Sequence, residues 1–559
     1  MNDKSKIPQD QLSSEAVVAA AGEVASDTPP ASTGVAKSSA IFGGMTLLSR
    51  LAGFARDVVV TAALGASAGP AADAYYTALN FPNLFRRIFA EGAFAAAFVP
   101  AYSRRLKAEG PDAADQVATD ALAVLATITV ALTIVAQLAM PWLMAAINIG
   151  FLDDPQRYKL AVMLTQITMP YLPCMAIAAL LSGVLNARGR FLVSGAYPIL
   201  LNVIMLAAIW PVKGDPIATS TFASWSVVVA GIAQAGLCWW AVRKAGANVR
   251  IRLPRLTPAV KAIIITAIPA AIGNSATQIN VFISGNLSSL VNGGRTWLAT
   301  ADRLYQLPLG LVGVAIGIAL LPRLSSAVAT ANKGEQQSSM DEAMILSMAL
   351  TLPAATALMS MPLLLVEGLF LRDAFLAYDA QNTAAALLQF GWGVPAFVLI
   401  RVLAPAFYAR SDSKTPMRYA LVSVVVNAVL AVALFFGGMG VSGIAAAVSA
   451  AAWANALLLA AKLWRHDYYR PSKHAIDRLV RILVSSIGMG VIVAGCSLFR
   501  PSIEAPIADV LAMVGTDHGV KELAMLLVVA LGGLSYVVLA FATRAITPRD
   551  IRRLLRRGA

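Results

Sequence analysis

Apolar runs of about twenty or more residues, divided by short polar links, recur from residue 38 to residue 543. A helix that crosses a bilayer needs about 20 predominantly apolar residues. The pattern predicts fourteen of them, near 38–63, 72–103, 118–147, 158–187, 191–211, 219–242, 258–291, 297–327, 341–370, 381–409, 417–437, 441–463, 477–499 and 520–543. The second and eighth are long and contain prolines, so each is expected to bend or break. Residues 1–36 are polar, rich in Ala, Ser, Pro and acidic side chains, and lack the apolar stretch of a cleaved leader. They are expected to form a disordered cytoplasmic tail.

Composition supports the same class. Of 559 residues, 58% are hydrophobic and only 13% charged, about half the charged share of soluble globular chains. The mean hydropathy is +0.70. Disordered and collagen-like chains are excluded by this apolar content. The expected fold class is an all-α polytopic membrane protein. Cys174, Cys238 and Cys496 fall in apolar runs without metal or redox spacing. His466, His474 and His518 lie in or beside links, with no Cys, Asp or Glu at ligand spacing, so no metal site is expected.

The net charge of +14 is mostly topology. Alternate links, with the two tails, hold 31 of the 44 Lys and Arg, and the opposite set holds seven. Positive charge marks the cytoplasmic side, so both termini are expected there and nucleic-acid binding is not needed to explain the basic balance. Arg552-Arg553 and Arg556-Arg557 in the C-terminal tail form a surface that could bind anionic phospholipid.

Six arginines remain inside the predicted spans: Arg50, Arg56, Arg86, Arg87, Arg303 and Arg401. A charge at that depth costs on the order of 3 kcal/mol and usually faces a bundle interior or watery cavity. Asp57, Asp73, Glu91 and Asp302 lie close by in sequence, so some of these charges could pair purely for structure. Arg50 and Asp57 are seven residues apart on one helical stripe, and Asp73, Asn80 and Arg87 repeat that step on the second span. Arg56 and Arg86 project from other sides of their helices. An excess of arginine over acid suits an anionic substrate such as a phosphate or diphosphate, because the guanidinium fork matches phosphate and does not titrate away. The seventh span is polar without charge, at Asn274, Ser275, Thr277, Gln278, Asn280 and Asn286. Interhelical hydrogen bonding is one reading of that face.

The chain resembles itself at an offset of 222 residues. Pro173 matches Pro395, Leu181 matches Leu403, and Ala187-Arg188 matches Ala409-Arg410. Ala93, Ala97, Pro100 and Ser103 match Ala315, Ala319, Pro322 and Ser325. The offset spans six helices, an even number, so the halves form a parallel repeat about an axis along the membrane normal. Spans 1–6 and 7–12 become two lobes with the substrate path between them, and the last two spans are an addition.

Residues 49–100, SRLAGFARDVVVTAALGASAGPAADAYYTALNFPNLFRRIFAEGAFAAAFVP, closely resemble the opening of the MurJ/MviN family of lipid II flippases. Residues 301–325 and 403–416 resemble later family segments, and the likeness extends over roughly residues 37–545. This family belongs to the multidrug/oligosaccharidyl-lipid/polysaccharide exporter superfamily. The resemblance implies an N-lobe over 37–254, a C-lobe over 255–466, helices 13 and 14 over 467–545 forming a groove for a polyprenyl tail, and a basic cytoplasmic tail over 546–559. It implies lipid II, the undecaprenyl-diphosphate-linked cell-wall precursor, as substrate, moved from the cytoplasmic to the periplasmic leaflet of the bacterial inner membrane. Arg50, Arg56, Arg86 and Arg303 match the family's charged cavity residues and are the expected substrate-binding set. Asp57, Asp73, Glu91 and Asp302 are the expected charge partners, with Arg87, Arg401 and Asn80 as further candidates. Asn80 stands where some members carry lysine. The seventh span has no Asp or Glu, so a cation site thought to exist there in some members is not carried over. No cofactor is expected, and membrane potential or a coupling ion could supply direction. A monomer is expected, with cell-wall synthesis enzymes as further partners. Rival readings are an ion-coupled exporter of another polyprenyl-linked glycan or a drug, a membrane-embedded enzyme, and a scaffold. Neither HExxH nor paired catalytic acids in one loop supports an enzyme.

Overall fold

The computed structural model describes residues 33–86, 93–212, 214–513 and 519–547. Arg87, Glu91, most of the N-terminal tail and the basic residues of the C-terminal tail lie outside these. The described chain is a succession of helices: α1 (Thr33–Leu64), α2 (Ala71–Arg86), α3 (Ala93–Ala108), α4 (Pro111–Ile147), α5 (Pro155–Thr168), α6 (Tyr171–Ala187), α7 (Phe191–Ile209) and α8 (Pro216–Lys244). The second half runs α9 (Pro258–Ser289), α10 (Gly294–Ala329), α11 (Lys333–Ser360), α12 (Pro362–Phe370), α13 (Ala377–Gly391), α14 (Val394–Tyr408), α15 (Lys414–Leu434) and α16 (Gly440–Arg465). The chain ends with α17 (Lys473–Leu498), α18 (Arg500–Met513) and α19 (Val520–Ala542).

Local chemistry explains where helices start. Pro155, Pro216 and Pro258 each occupy the first helical position, where a missing N–H is harmless. The preceding Asp154, Asp215 and Thr257 accept N–H groups of the first turn. One hairpin depends on glycine: Gly438 (φ 98°) and Gly440 (φ 53°) take left-handed backbone between α15 and α16. They fold the very apolar stretch Lys414–Arg465 back on itself.

The 222-residue register recurs in the helix boundaries. Pro111 and Lys333 open α4 and α11, and Pro155 and Ala377 open α5 and α13. The continuous α10 corresponds to α2 and α3 together. It runs as one helix through Pro308 and Pro322, so of the bend or break expected in the eighth span the break does not occur. Residues 87–92, between α2 and α3, lie outside the described residues.

Buried apolar side chains gather into two large clusters, one over residues 60–263 and one mainly over 297–469. A smaller third cluster joins α17 and α19 to α11 and α12, with Ile482, Met489, Val493, Met525 and Val528 at its centre. Tyr536 Oη donates to the Ala349 carbonyl at 2.6 Å and ties α19 to the same place. Among the described residues, nine helical stretches are long and apolar enough to cross a membrane. Three of them, Pro155–Ala187, Ala377–Tyr408 and Lys414–Arg465, each contain two of these helices. The stretches holding α1, α2, α9 and α10 are not among the nine, and these helices carry the polar and charged residues of the candidate site.

Candidate functional site

The charges assemble where α1 and α2 meet α10. Asp57 on α1 is 5% exposed and Arg56 beside it 6%. The Arg56 side chain turns back on its neighbour: Nη2 and Nε donate to Asp57 Oδ1 at 2.6 and 3.1 Å. Arg56 thus shares the interior with Asp57 rather than projecting from another side. The other carboxylate oxygen, Oδ2, lies 3.1 Å from Nε of Arg303 on α10. Asp57 therefore joins the first half of the chain to the second, with one arginine on each oxygen. Arg303 keeps 37% of its side chain exposed. Beside it, Asp302 accepts a hydrogen bond from Gln306 Nε2.

Tyr75 and Tyr76 on α2 wall in the pair. Tyr75 Oη donates to Met205 Sδ at 3.1 Å, and the Tyr76 and Thr61 hydroxyls are 2.5 Å apart. Arg50, almost two helical turns before Asp57, is exposed. Its guanidinium rests on Gly310 of α10, where a Cβ would lie 1.9 Å from Nη1. Arg401 on α14 donates to the Leu309 carbonyl at 3.4 Å. Arg50 and Arg401 thus flank the same turn of α10, near enough to repel each other. Asn80 is exposed, and Arg86 closes α2.

Asp73 is not part of this cluster. It is fully buried in the first turn of α2. Its Oδ1 accepts Thr296 N–H at 3.0 Å and Thr296 Oγ1 at 2.7 Å, and its Oδ2 accepts Gly293 N–H at 3.0 Å. Asp73 thus caps α10 from the other half of the chain. The expectation that it lines the cavity with the arginines is corrected: the start of α2 is packed against the α9–α10 link.

Other bonds between halves gather at the same end. Ser67 N–H donates to Asp379 Oδ1 at 3.1 Å, and Trp297 Nε1 donates to the same oxygen at 2.9 Å. Asn292 donates to the Ser67 carbonyl at 3.0 Å, and Ala374 N–H to the Ala62 carbonyl at 3.0 Å. Asn286 on α9 donates to Ala146 of the first half, and within the second half Asn280 accepts from Asn427 of α15. The polar face of α9 is therefore used, at these two positions, for interhelical bonds. This end of the bundle, which carries few Lys and Arg, is sealed. Gly150 shows how closely: a Cβ there would lie 2.3 Å from the Ser289 carbonyl oxygen. Gly150→Ala is expected to wedge the halves apart and cost about 1–3 kcal/mol of closed-state stability, read as faster thiol labelling of cysteines placed at the seal.

Two residues of the seal escape a span-by-span reading. Arg157 and Arg295 look like link cations, yet Arg157 is 6% exposed and lies 3.4 Å from Asp73. Arg295 donates to Asn148 Oδ1 and the Gly285 carbonyl. The repeat was the available signal: 222 residues separate Asp73 from Arg295 and Arg157 from Asp379.

Fold and site together define a polytopic integral membrane protein of transporter type, two repeated helical halves meeting at a charged centre. Its fold is similar to a solved lipid II flippase MurJ in an inward closed conformation, with TM-score 0.71 and 21% identity, covering 90% of this chain and 98% of that one. It is also similar to an inward-facing multidrug resistance MATE family transporter of the MOP superfamily, with TM-score 0.64 and 13% identity, covering 77% of this chain and 97% of that one. The family model for lipid II flippase MurJ matches residues 60–503. A probable lipid II flippase MurJ of Rhizobium tropici is 40% identical over 519 residues, 92% of this chain and 95% of its own. The lipid II flippase MurJ of Burkholderia cenocepacia is 34% identical over 457 residues, 81% and 87% of the two chains. The chain belongs to the MurJ family of lipid II flippases.

Proposed function

We propose that this protein flips lipid II across the bacterial inner membrane by alternating access. The observation that carries the reading is the Arg56–Asp57–Arg303 bridge between the two halves, with Arg50 and Arg401 exposed beside it. In this reading fourteen spans form an N-lobe (37–254), a C-lobe (255–466) and a two-helix addition (467–545), with both termini in the cytoplasm. The sealed, Lys/Arg-poor end is then periplasmic, and the charged centre is reached from the cytoplasm.

The diphosphate of the headgroup enters as an anion. Arg303 and Arg50 meet it first, because both retain exposure, and Arg401 adds charge from α14. Arg86, the last residue of α2, is kept in the proposed set on the family resemblance. Arg56 acts through Asp57: held on Oδ1, it leaves Oδ2 for Arg303. A diphosphate oxygen competes with Asp57 for Arg303, and charge-assisted bonds of this kind are the strong ones. Exchange of that partner loosens the link between halves as substrate arrives. Without substrate, Arg50 and Arg401 repel across the turn at Gly310 and hold the site open. With it, their repulsion is offset and the halves close around the headgroup. The polyprenyl tail stays in lipid against α17 and α19. The protein acts without covalent chemistry or a cofactor, as a monomer, and direction comes from membrane potential or an ion gradient.

Purified protein in liposomes with fluorescent lipid II tests this. Lipid II in the inner leaflet is expected to reach the outer one, where an impermeant quencher reads it. Equal transport of a neutral-headgroup polyprenyl lipid would overturn the diphosphate reading and favour a different exported glycan or drug.

A further inference from the structure

The two halves carry one ion pair with its signs exchanged. In the first half, Asp73 lies in the first turn of α2 and Arg157 in the first turn of α5. The 222-residue register puts Arg295, in the first turn of α10, at the place of Asp73. It puts Asp379, in the first turn of α13, at the place of Arg157. α2 packs on α5 as α10 packs on α13. Equivalent helices thus present an acid and an arginine to each other in both halves.

The second pair is not made in this structure. Asp379 spends Oδ1 on Ser67 N–H and Trp297 Nε1, and Oδ2 on Leu376 N–H at 3.0 Å. Arg295 reaches the other half instead, at Asn148. The first pair is made only loosely, at 3.4 Å. Arg157 Nε is buried without a hydrogen bond, with Asp154 Oδ2 3.5 Å away.

We infer that Arg295 and Asp379 pair with each other when the sealed end opens, while Asp73 closes fully on Arg157. Separating the halves removes Gly293 and Thr296 from Asp73 and Ser67 from Asp379. Asp73 thereby loses all of its donors from Gly293 and Thr296, and Asp379 loses one of three while keeping Trp297 and Leu376; a buried carboxylate short of donors is expensive. Each of these two has an arginine at the equivalent place in its own half. Arg295 is released from Asn148 by the same movement, and Arg157 has a donor in reserve. Bonds between halves are exchanged for pairs within halves, so both states are satisfied and neither becomes a trap. A ligand can then move the balance with a modest difference in affinity. The inference deepens the flippase reading and rests on its alternating access.

The test reads distance without substrate. Cys174, Cys238 and Cys496 are replaced by serine, and spin labels are placed at Gln156→Cys and Gln381→Cys, near the starts of α5 and α13. Gly150→Ala serves as background, because its wedge populates the open state. Asp379→Asn keeps an acceptor for Ser67 and Trp297 but loses its charge toward Arg295. It is expected to lower the open population about tenfold. Arg157→Gln is expected to act the same way from the other half, and Asp379→Glu to restore opening. An open population unchanged or raised by Asp379→Asn overturns the exchange, since a plain latch weakened by loss of charge opens more. Lipid II transport is measured separately on the label-free protein. The stated distance shifts without lipid II transport would sink the substrate reading and leave the exchange standing.

Discussion

Arg303→Ala is expected to lower lipid II translocation at least about a hundredfold while the amount of protein in the membrane stays within about twofold. Arg303 pairs with a carboxylate of the other half and remains accessible. It lies 3.1 Å from Asp57 Oδ2 and keeps 37% exposure. Its loss leaves Asp57 still held by Arg56 through Oδ1, so no buried charge is stranded. The stability cost is then that of a partly exposed pair, below about 1 kcal/mol. Arg303→Lys retains the charge but not the planar fork, and intermediate activity is expected. Quenching of fluorescent lipid II in liposomes, beside a thermal unfolding trace of each variant, checks both halves of the statement. A variant that transports normally removes Arg303 from the substrate path.

Asp57→Ala should instead be the large stability loss. It leaves Arg56, 6% exposed, without the carboxylate that takes two of its donors. Removing one partner of a buried pair costs about 3–5 kcal/mol, whereas replacing both with apolar groups is often nearly neutral. The double variant Arg56→Ala/Asp57→Ala is therefore expected to unfold at a higher temperature than Asp57→Ala alone, in detergent or nanodiscs. It is expected to be inactive nonetheless, because Arg303 loses the acid that positions it. Strictly additive effects of the two substitutions would contradict the pairing.

These two variants separate residues that look alike in the sequence. Arg50, Arg56 and Arg303 are all arginines in apolar runs, and the cost of burying charge marks each as unusual. That cost is local and needs no fold. It is the same for Arg56, locked on its neighbour, and for Arg50, lying against Gly310. Asp73 shows the same limit more sharply. Its seven-residue step to Asn80 suggests one face, yet Asp73 is fully buried and Asn80 exposed. The stripe passes from the seal to the open part of the bundle, and periodicity does not record depth.

What the sequence determined by itself was the all-helical class, the register of the repeat and the set of charges that a bilayer would not tolerate idly. All three follow from properties read over a few turns or from a fixed offset along the chain. Apolar length sets a crossing, proline and a capping side chain set its start, and six buried-depth arginines require an interior. Tertiary structure decided which of those charges pair and which stay free. It also showed that Arg157 and Arg295, at the ends of their helices, belong to a seal. The partners of Asp73 and Asp379 lie 220 and 312 residues away, at Gly293 and Ser67. Such contacts form only when the two halves dock, and their cost and gain come from the burial that docking creates.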